Sequence, residues 1–313
     1  MANSKFRRLT EAMSELNFIN WIRSQQQSAP PGYGIGDDCA VIRSKEGWLV
    51  STDMLMDGTH FELNKVGPKL AGRKALAVNL SDIAAMAGIP KHIFISLALP
   101  KDGGSRLGRE VMTGIQELAQ PFGVSISGGD TNAWKGPLVI NITILGIEGP
   151  KGAVLRSGAK VGDRLLVTGP LGGSLNGHHL TFQPRVKDAQ VLSDKYNLNA
   201  MIDLSDGLTK DANLIAEESN CGVVINTDRI PIHESIQNLP AEDQIARACS
   251  DGEDFELAFA VPPKTAKQIL DDQPLESYIF EVGYFIQNSG IFIENSLEKQ
   301  KKIDPEGFFH TFS

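Results

Sequence analysis

The stretch from Pro68 to Ala87 limits the choice of fold more than any other part of the chain. Rich in alanine and apolar on nearly every side, it predicts a long helix without a solvent face, which other layers must cover all round. The chain can provide them: 313 residues at 41% hydrophobic content are enough for a sizeable core. Polar residues on such a helix need partners. Asp82 lies well inside it, where a carboxylate is almost never buried unpaired. Asn79, three residues earlier, shares its face and is placed to brace the same point. An ion pair with Arg73 or Lys74 is the ordinary alternative, but both lie about two turns away along the helix. A bound metal cation is therefore the favoured counter-charge.

Around this helix the hydrophobic periodicity alternates between helix and strand. Leu16, Ile19 and Ile22 predict an opening helix over Ser14 to Ser24, stopped by Pro30-Pro31-Gly32, and the first dozen residues read as an extension before Met13. Strands are expected at Cys39 to Ile42, Trp48 to Ser51, Ile93 to Leu99 and Leu138 to Ile147, with a helix over Ser105 to Phe122. Punctuation at Gly149-Pro150-Lys151-Gly152 divides the chain into domains at 1–150 and 151–313. In the second half, strands are expected at Arg164 to Val167, Ala200 to Leu204, Gly222 to Asn226, Phe255 to Val261, Tyr278 to Phe285 and Ile291 to Ile293. Helices are expected over Leu208 to Ser219 and Lys264 to Leu270, with Gly177 to Arg185 as a surface loop. Both halves are α/β chains of the α+β type.

Several function classes are disfavoured. The apolar run Ile93 to Pro100 is far shorter than the roughly 18 to 20 residues that span a bilayer, so no membrane association is expected. The basic N-terminus is followed by polar residues where a secretory signal has its apolar stretch. Cys39, Cys221 and Cys249 make no CxxC pair and are odd in number, which suits buried thiols in a reducing cytoplasm. A net charge of −8 argues against a nucleic-acid surface, though a small anion can still be held through metals.

Six short segments repeat one design, an apolar run, a small residue and a carboxylate: Gly36-Asp37-Asp38, Ser51-Thr52-Asp53, Leu80-Ser81-Asp82, Gly128-Gly129-Asp130, Asp203-Leu204-Ser205-Asp206 and Asp251-Gly252-Glu253-Asp254. Magnesium takes hard oxygen ligands, typically a few carboxylates with waters and substrate phosphates. Small neighbours allow the backbone near a phosphate, and in α/β sheets ligands gather beyond the strand ends where such turns lie. Any one segment is more simply a turn, because Asp, Gly and Ser favour turns. Six in one chain favour a magnesium-phosphate site. No P-loop accompanies them, since Gly67-Pro68-Lys69-Leu70-Ala71-Gly72-Arg73-Lys74 lacks the Gly-Lys-Ser/Thr ending and falls within a helix. Gly32, Gly34 and Gly36 miss the dinucleotide fingerprint, and no Gly-x-Ser-x-Gly, His-Glu-x-x-His or paired-cysteine zinc spacing occurs.

In this order the segments resemble the thiamine-monophosphate kinase family of the aminoimidazole-ribonucleotide synthetase superfamily. The likeness runs through Gly34 to Val41, Ser51 to Leu55 with Gly58-Thr59-His60-Phe61, Lys74 to Met86, Gly128 to Thr131, Arg156 to Ala159, Ile202 to Leu208 and Gly252 to Leu257. It implies the superfamily's two-domain fold, with N-terminal sheets pairing in a homodimer and a C-terminal α/β domain. It also implies ATP-dependent phosphorylation of thiamine monophosphate to thiamine diphosphate with several magnesium ions, without a covalent enzyme intermediate. The resemblance puts metal ligands on Asp38, Ser51, Thr52, Asp53, Asp82, Asp130, Asp203 and Asp206. ATP contacts fall on Gly129, Asp130, Arg156 and Ser205, and acceptor contacts on His60, Glu253 and an aromatic near the C-terminus. Phe308 is the chosen aromatic, suited to cation–π contact with a thiazolium, with Phe309 and Phe312 as rivals. Asp251 departs from the family pattern, which has glycine there, and puts the Glu253 turn in question. Manganese suits the same oxygen ligands.

Two relatives in the superfamily require cysteines that this chain lacks: selenophosphate synthetase in a glycine-rich N-terminal stretch, and the hydrogenase-maturation carbamoyl-dehydrating protein at its C-terminus. The purine-pathway synthetases remain as rivals. A catalytically silent nucleotide-binding module is the reading from another class, and the complete carboxylate set argues against it.

Overall fold

The computed structural model describes residues 37–42, 45 and 47–308. The expected opening helix at Ser14 to Ser24, the glycine loop up to Gly36, and the aromatics Phe309 and Phe312 lie outside the described residues. The first sheet has the order β1-β2-β5-β3-β4, formed by β1 (Ala40–Ile42), β2 (Trp48–Met56), β3 (Ile89–Pro100), β4 (Ser125–Trp134) and β5 (Val139–Ile147). Its pairings are antiparallel except β3 with β4, which are joined through a helix and run parallel.

The predicted central helix is α1 (Pro68–Ala85), with Pro68 at its first turn, where a missing N–H costs nothing. It packs on β2 and β5 and against α2 (Gly104–Phe122), which also covers β3. Gly72 and Gly114 set the spacing of the two helices. A Cβ at Gly72 would stand 2.2 Å from the carbonyl oxygen of Val111, and one at Gly114 would stand 1.9 Å from that of Lys69.

The second sheet runs β12-β11-β8-β10-β6-β9-β7, from β6 (Arg164–Thr168), β7 (Ala200–Asp203), β8 (Gly222–Asn226), β9 (Leu257–Val261), β10 (Ile279–Ile286), β11 (Gly290–Glu294) and β12 (Lys301–Ile303). Only β8 and β11 pair in parallel. One face packs on α4 (Leu208–Glu218) through Val167, Ile202, Ala258 and Leu208. The other sends Leu166, Met201, Leu257 and Phe259 into the core that α1 shares with the first sheet and with α3 (Val186–Lys195). This explains why α1 is apolar all round: it is held between two sheets. Among the described residues, no helix is long and apolar enough to cross a membrane.

Several elements go beyond the sequence expectations. Helix α3, the helix α5 (Ala241–Ser250), a helical turn at Leu63–Val66 and strand β12 were not expected, and the loop expected at Gly177 to Arg185 carries a helical turn at His178–Thr181. Another is β4, exposed along its whole length at the sheet edge. Its Ser-Gly-Gly-Asp-Thr-Asn composition has no apolar alternation, because it has no buried face.

Candidate functional site

The acidic segments that come together do so where the strand ends of both sheets meet α1. Alternation along β2 turns Ser51 and Asp53 toward α1 and Thr52 to the opposite face. Ser51 Oγ donates to the Asp82 carboxylate one layer below, and Asp53 lies in hydrogen-bonding contact with Asp82. From the second sheet, Asp203 ends β7, and its Oδ2 accepts from Ser81 Oγ on α1 at 2.5 Å. Carboxylate oxygens of Asp38, Asp82 and Asp203 lie within 4.8 Å of one another.

Like charges in so small a space are costly, and the local electrostatics record it. Burial, and then the neighbouring carboxylates Asp53, Asp203 and Asp38, push Asp82 well above the usual carboxylate range. Asp203 is pushed up in the same way, by burial first and then by Asp38. Burial lifts Asp53 to about 6. Its Oδ2 is buried with no hydrogen-bond partner. Asp38 is answered by Arg156, whose Nε and Nη2 donate to its two oxygens at 3.0 and 2.6 Å, and the main-chain N–H of Arg156 donates to Asp37. The remaining oxygens suit a hard divalent cation: several converging carboxylates, one of them carrying an orphaned buried atom. The ion-pair alternative for Asp82 is removed. Lys74 binds Glu253, and Arg73 donates to the carbonyls of Leu180 and Phe182. Asn79 spends its amide N–H on Ala75 within the helix, and its Oδ1 is buried without a partner.

A cleft of about 380 Å³ opens beside Asp53 and is bordered by His60, Lys74, Leu175, Ser205, Asp206, Glu253, Phe255 and Phe308. His60 is oriented by Nδ1, which accepts from the Met56 main-chain N–H at 3.0 Å. Asp206 pairs with Lys210 at 2.7 Å, and buried Asp211 caps the turn by accepting from the N–H groups of Asp206 and Gly207. Phe308 closes the far side, its N–H donating to Asp206 O and its carbonyl accepting from Lys210. A larger hollow of about 730 Å³ between α2 and β4 lies elsewhere; its lining includes Lys101, Arg109, Met112 and Thr131 but no carboxylate. The cleft beside the acid cluster is the one with chemistry at its wall.

The Glu253 turn is well defined despite Asp251. That residue has ordinary helical backbone angles, φ −62° and ψ −31°, and its carboxylate accepts from Arg247 Nε at 2.6 Å. The positive φ values fall on Gly252 at 70°, on Glu253 at 55° and on Phe255 at 50°. Main-chain bonds from Glu253 to Ser205 O and from Phe255 to Leu204 O, both 2.8 Å, lock this turn to the Asp203–Asp206 turn.

Two expected metal ligands, Thr52 and Asp130, stand apart from the cluster. The Thr52 hydroxyl sits on the outer face of the first sheet among Thr143, Asn141 and the Ile142 carbonyl. Asp130 stands on the same outer face, opposite Ser96, with its oxygens accepting from Thr131 N and Asn132 Nδ2. Strands β5 and β3 separate it from β2, about 14 Å at ordinary strand spacing. Gly129 is required by packing, since a Cβ there would meet the Ile95 carbonyl oxygen at 1.9 Å. Sequence reading gave no site role to Lys74, Ser81 or Asp211, all buried polar side chains on helices that pass close to the site.

Family comparison fits this arrangement. The N-terminal domain model of the AIR synthase related proteins matches residues 36–147, and the C-terminal domain model matches residues 160–294. Thiamine-monophosphate kinase of Rhodopirellula baltica is 37% identical over 310 residues, covering 95% of this chain and 97% of its own. The Pyrococcus horikoshii thiamine-monophosphate kinase is 32% identical, covering 89% and 91%. A solved structure described as AaThiL complexed with AMPPCP and TMP superposes with a TM-score of 0.82 at 26% identity, covering 98% of this chain and all of that one. With kinship at this level across both domains, the chain belongs to the thiamine-monophosphate kinase family.

Proposed function

We propose that the chain transfers the γ-phosphoryl group of ATP to thiamine monophosphate, giving thiamine diphosphate and ADP, with Mg²⁺ held by its aspartate cluster. The observation that carries this reading is the convergence of Asp38, Asp82 and Asp203 beside the orphaned oxygen of Asp53, at the mouth of a cleft lined by His60, Glu253 and Phe308. The solved relative bound to AMPPCP and TMP supports ATP and thiamine monophosphate as the substrates. Asp38, Ser51, Asp53, Asp82 and Asp203 would hold the metal, with Asp206 at the margin of the set. When bound, magnesium neutralises phosphate oxygen charge, which is what phosphoryl transfer through a loose transition state mainly requires.

The chain's own groups do the rest. Arg156, now on Asp38, is placed to turn a charge-assisted contact toward phosphate. The Ser205 segment and Glu253 fix the two turns relative to each other, and His60 and Phe308 border the acceptor's side of the cleft. The acceptor is itself a phosphate, so no strong general base is needed. A cleft bordered by both Asp53 and Phe308 suits direct in-line transfer between bound substrates.

A homodimer is part of this reading. Ile42, Met54, Phe94 and Trp134 are 40 to 54% exposed on the outer face of the first sheet, and β4 has an open edge. Pairing of these faces covers that apolar patch, and it is the arrangement in which Gly129 and Asp130 can reach an ATP site. Phe94→Asp is therefore expected to yield a monomer by sedimentation with activity reduced at least about tenfold. A variant that sediments like wild type at micromolar concentration would refute this interface. The expected compartment is the cytoplasm.

The reading is tested by incubating purified protein with ATP, Mg²⁺ and thiamine monophosphate and resolving products by chromatography. Thiamine diphosphate with stoichiometric ADP is expected. ATP turnover on a purine intermediate, with no thiamine diphosphate, would refute the assignment.

A further inference from the structure

Lys74 is a large side chain with no exposed surface, although lysine is almost never fully buried unless paired. Its Nζ donates to Glu253 Oε1 at 2.5 Å and to the His60 carbonyl at 2.8 Å. These two partners come from different domains, and both line the cleft beside Asp53. Glu253 itself sits at φ 55°, a left-handed conformation unusual for a residue with a side chain. With Oε1 on the ammonium, no described group donates to Oε2, and Glu253 keeps partial access to the cleft. Burial alone drives Lys74 below its ordinary range, with Glu253 opposing it, so the pair stands in a setting that disfavours an unmatched charge.

We infer that Lys74 is a positioning residue that sets acceptor recognition, pinning the Glu253 carboxylate and the His60 turn together so that Glu253 Oε2 faces the cationic ring of the acceptor. This rests on reading the cleft as the thiamine monophosphate site. It gives Lys74 a role in acceptor recognition rather than in holding the metal or ATP. It also explains why α1 carries a lysine on a surface otherwise given to alanine, leucine and valine.

The test is a double-mutant cycle with Lys74→Met, Glu253→Gln and the combined variant, assayed for the KM of each substrate. Lys74→Met is expected to raise KM for thiamine monophosphate about tenfold or more while leaving KM for ATP within about twofold. Glu253→Gln is expected to do the same, and the combined variant to fall well short of the product of the two single effects, because Lys74 acts chiefly by holding that carboxylate. The combined variant leaves no unmatched buried charge, and methionine matches lysine in length, so it keeps the test open even where Lys74→Met alone does not fold. An unchanged acceptor KM in Lys74→Met, equal rises in both KM values, or a further tenfold loss in the combined variant over Glu253→Gln would overturn the inference. Wild-type protein in the same assay separates the two claims: absence of thiamine diphosphate there refutes the acceptor reading itself, whereas product formation with an unmoved variant KM refutes the role of Lys74.

Discussion

Asp53→Asn is expected to lower turnover about a thousandfold or more while making the metal-free protein more stable near neutral pH. The two effects have one origin. Asp53 Oδ2 is buried without a partner, beside Asp82 and Asp38. In the absence of a cation that carboxylate contributes repulsion and desolvation, so removing its charge relieves the fold. In the proposed metal site the same atom would be a ligand, and an amide is a poorer one. Thermal melting without metal and steady-state rates with metal measure the two sides. Near-wild-type turnover would contradict the metal role, and a lower melting temperature in metal-free Asp53→Asn would contradict the electrostatic account of the cluster.

Chelation of divalent cations is expected to abolish activity, and the metal requirement should steepen as pH falls through about 6, the value to which burial lifts Asp53. Protons and metal compete for the same oxygens. The sign for stability follows from the raised folded-state values of Asp37 at about 6, Asp53 at about 6 and Asp254 at about 7, against an ordinary 3.8. Each of these carboxyls binds its proton more tightly in the folded state, so the metal-free fold is favoured at low pH and loses that advantage as pH rises from about 4 to about 7. Magnesium bound at the ionised cluster, as proposed, would reverse part of this trend. Its addition should raise the melting temperature by roughly 5 °C or more at pH 7.5 and by much less at pH 5. Equal metal-induced shifts at both pH values would argue that the cation binds elsewhere.

The central helix was legible because nothing about it is local: apolar residues on every side dictate burial, and α1 runs Pro68–Ala85 as its composition demands. The strands with alternating or wholly apolar runs were legible for the same reason. By contrast, β4 presents glycines and polar residues to solvent along an open edge, so its sequence carries a turn's signature. Helices α3 and α5 are short, mostly polar and bury few side chains, so few apolar residues mark them in the sequence. At the site, the order of the carboxylate segments announced the family, and their spacing is what points to the metal-phosphate chemistry proposed for it. Strand alternation then decided which oxygens meet: Ser51 and Asp53 face α1, whereas Thr52 faces away. The sheet order put Asp130 at the far edge. Neither follows from one-dimensional spacing. Lys74 and Glu253 are 179 residues apart, and only the packing of α1 between the two sheets brings them together.

Crystals grown with Mn²⁺, a non-hydrolysable ATP analogue and thiamine monophosphate would locate the cation by its anomalous scattering. Peaks bounded by Asp53, Asp82 and Asp203, with the nucleotide's terminal phosphate between them and the cleft of His60 and Phe308, are the expected result. Bound substrates with no anomalous peak among those carboxylates would contradict the metal-held transfer proposed for this chain.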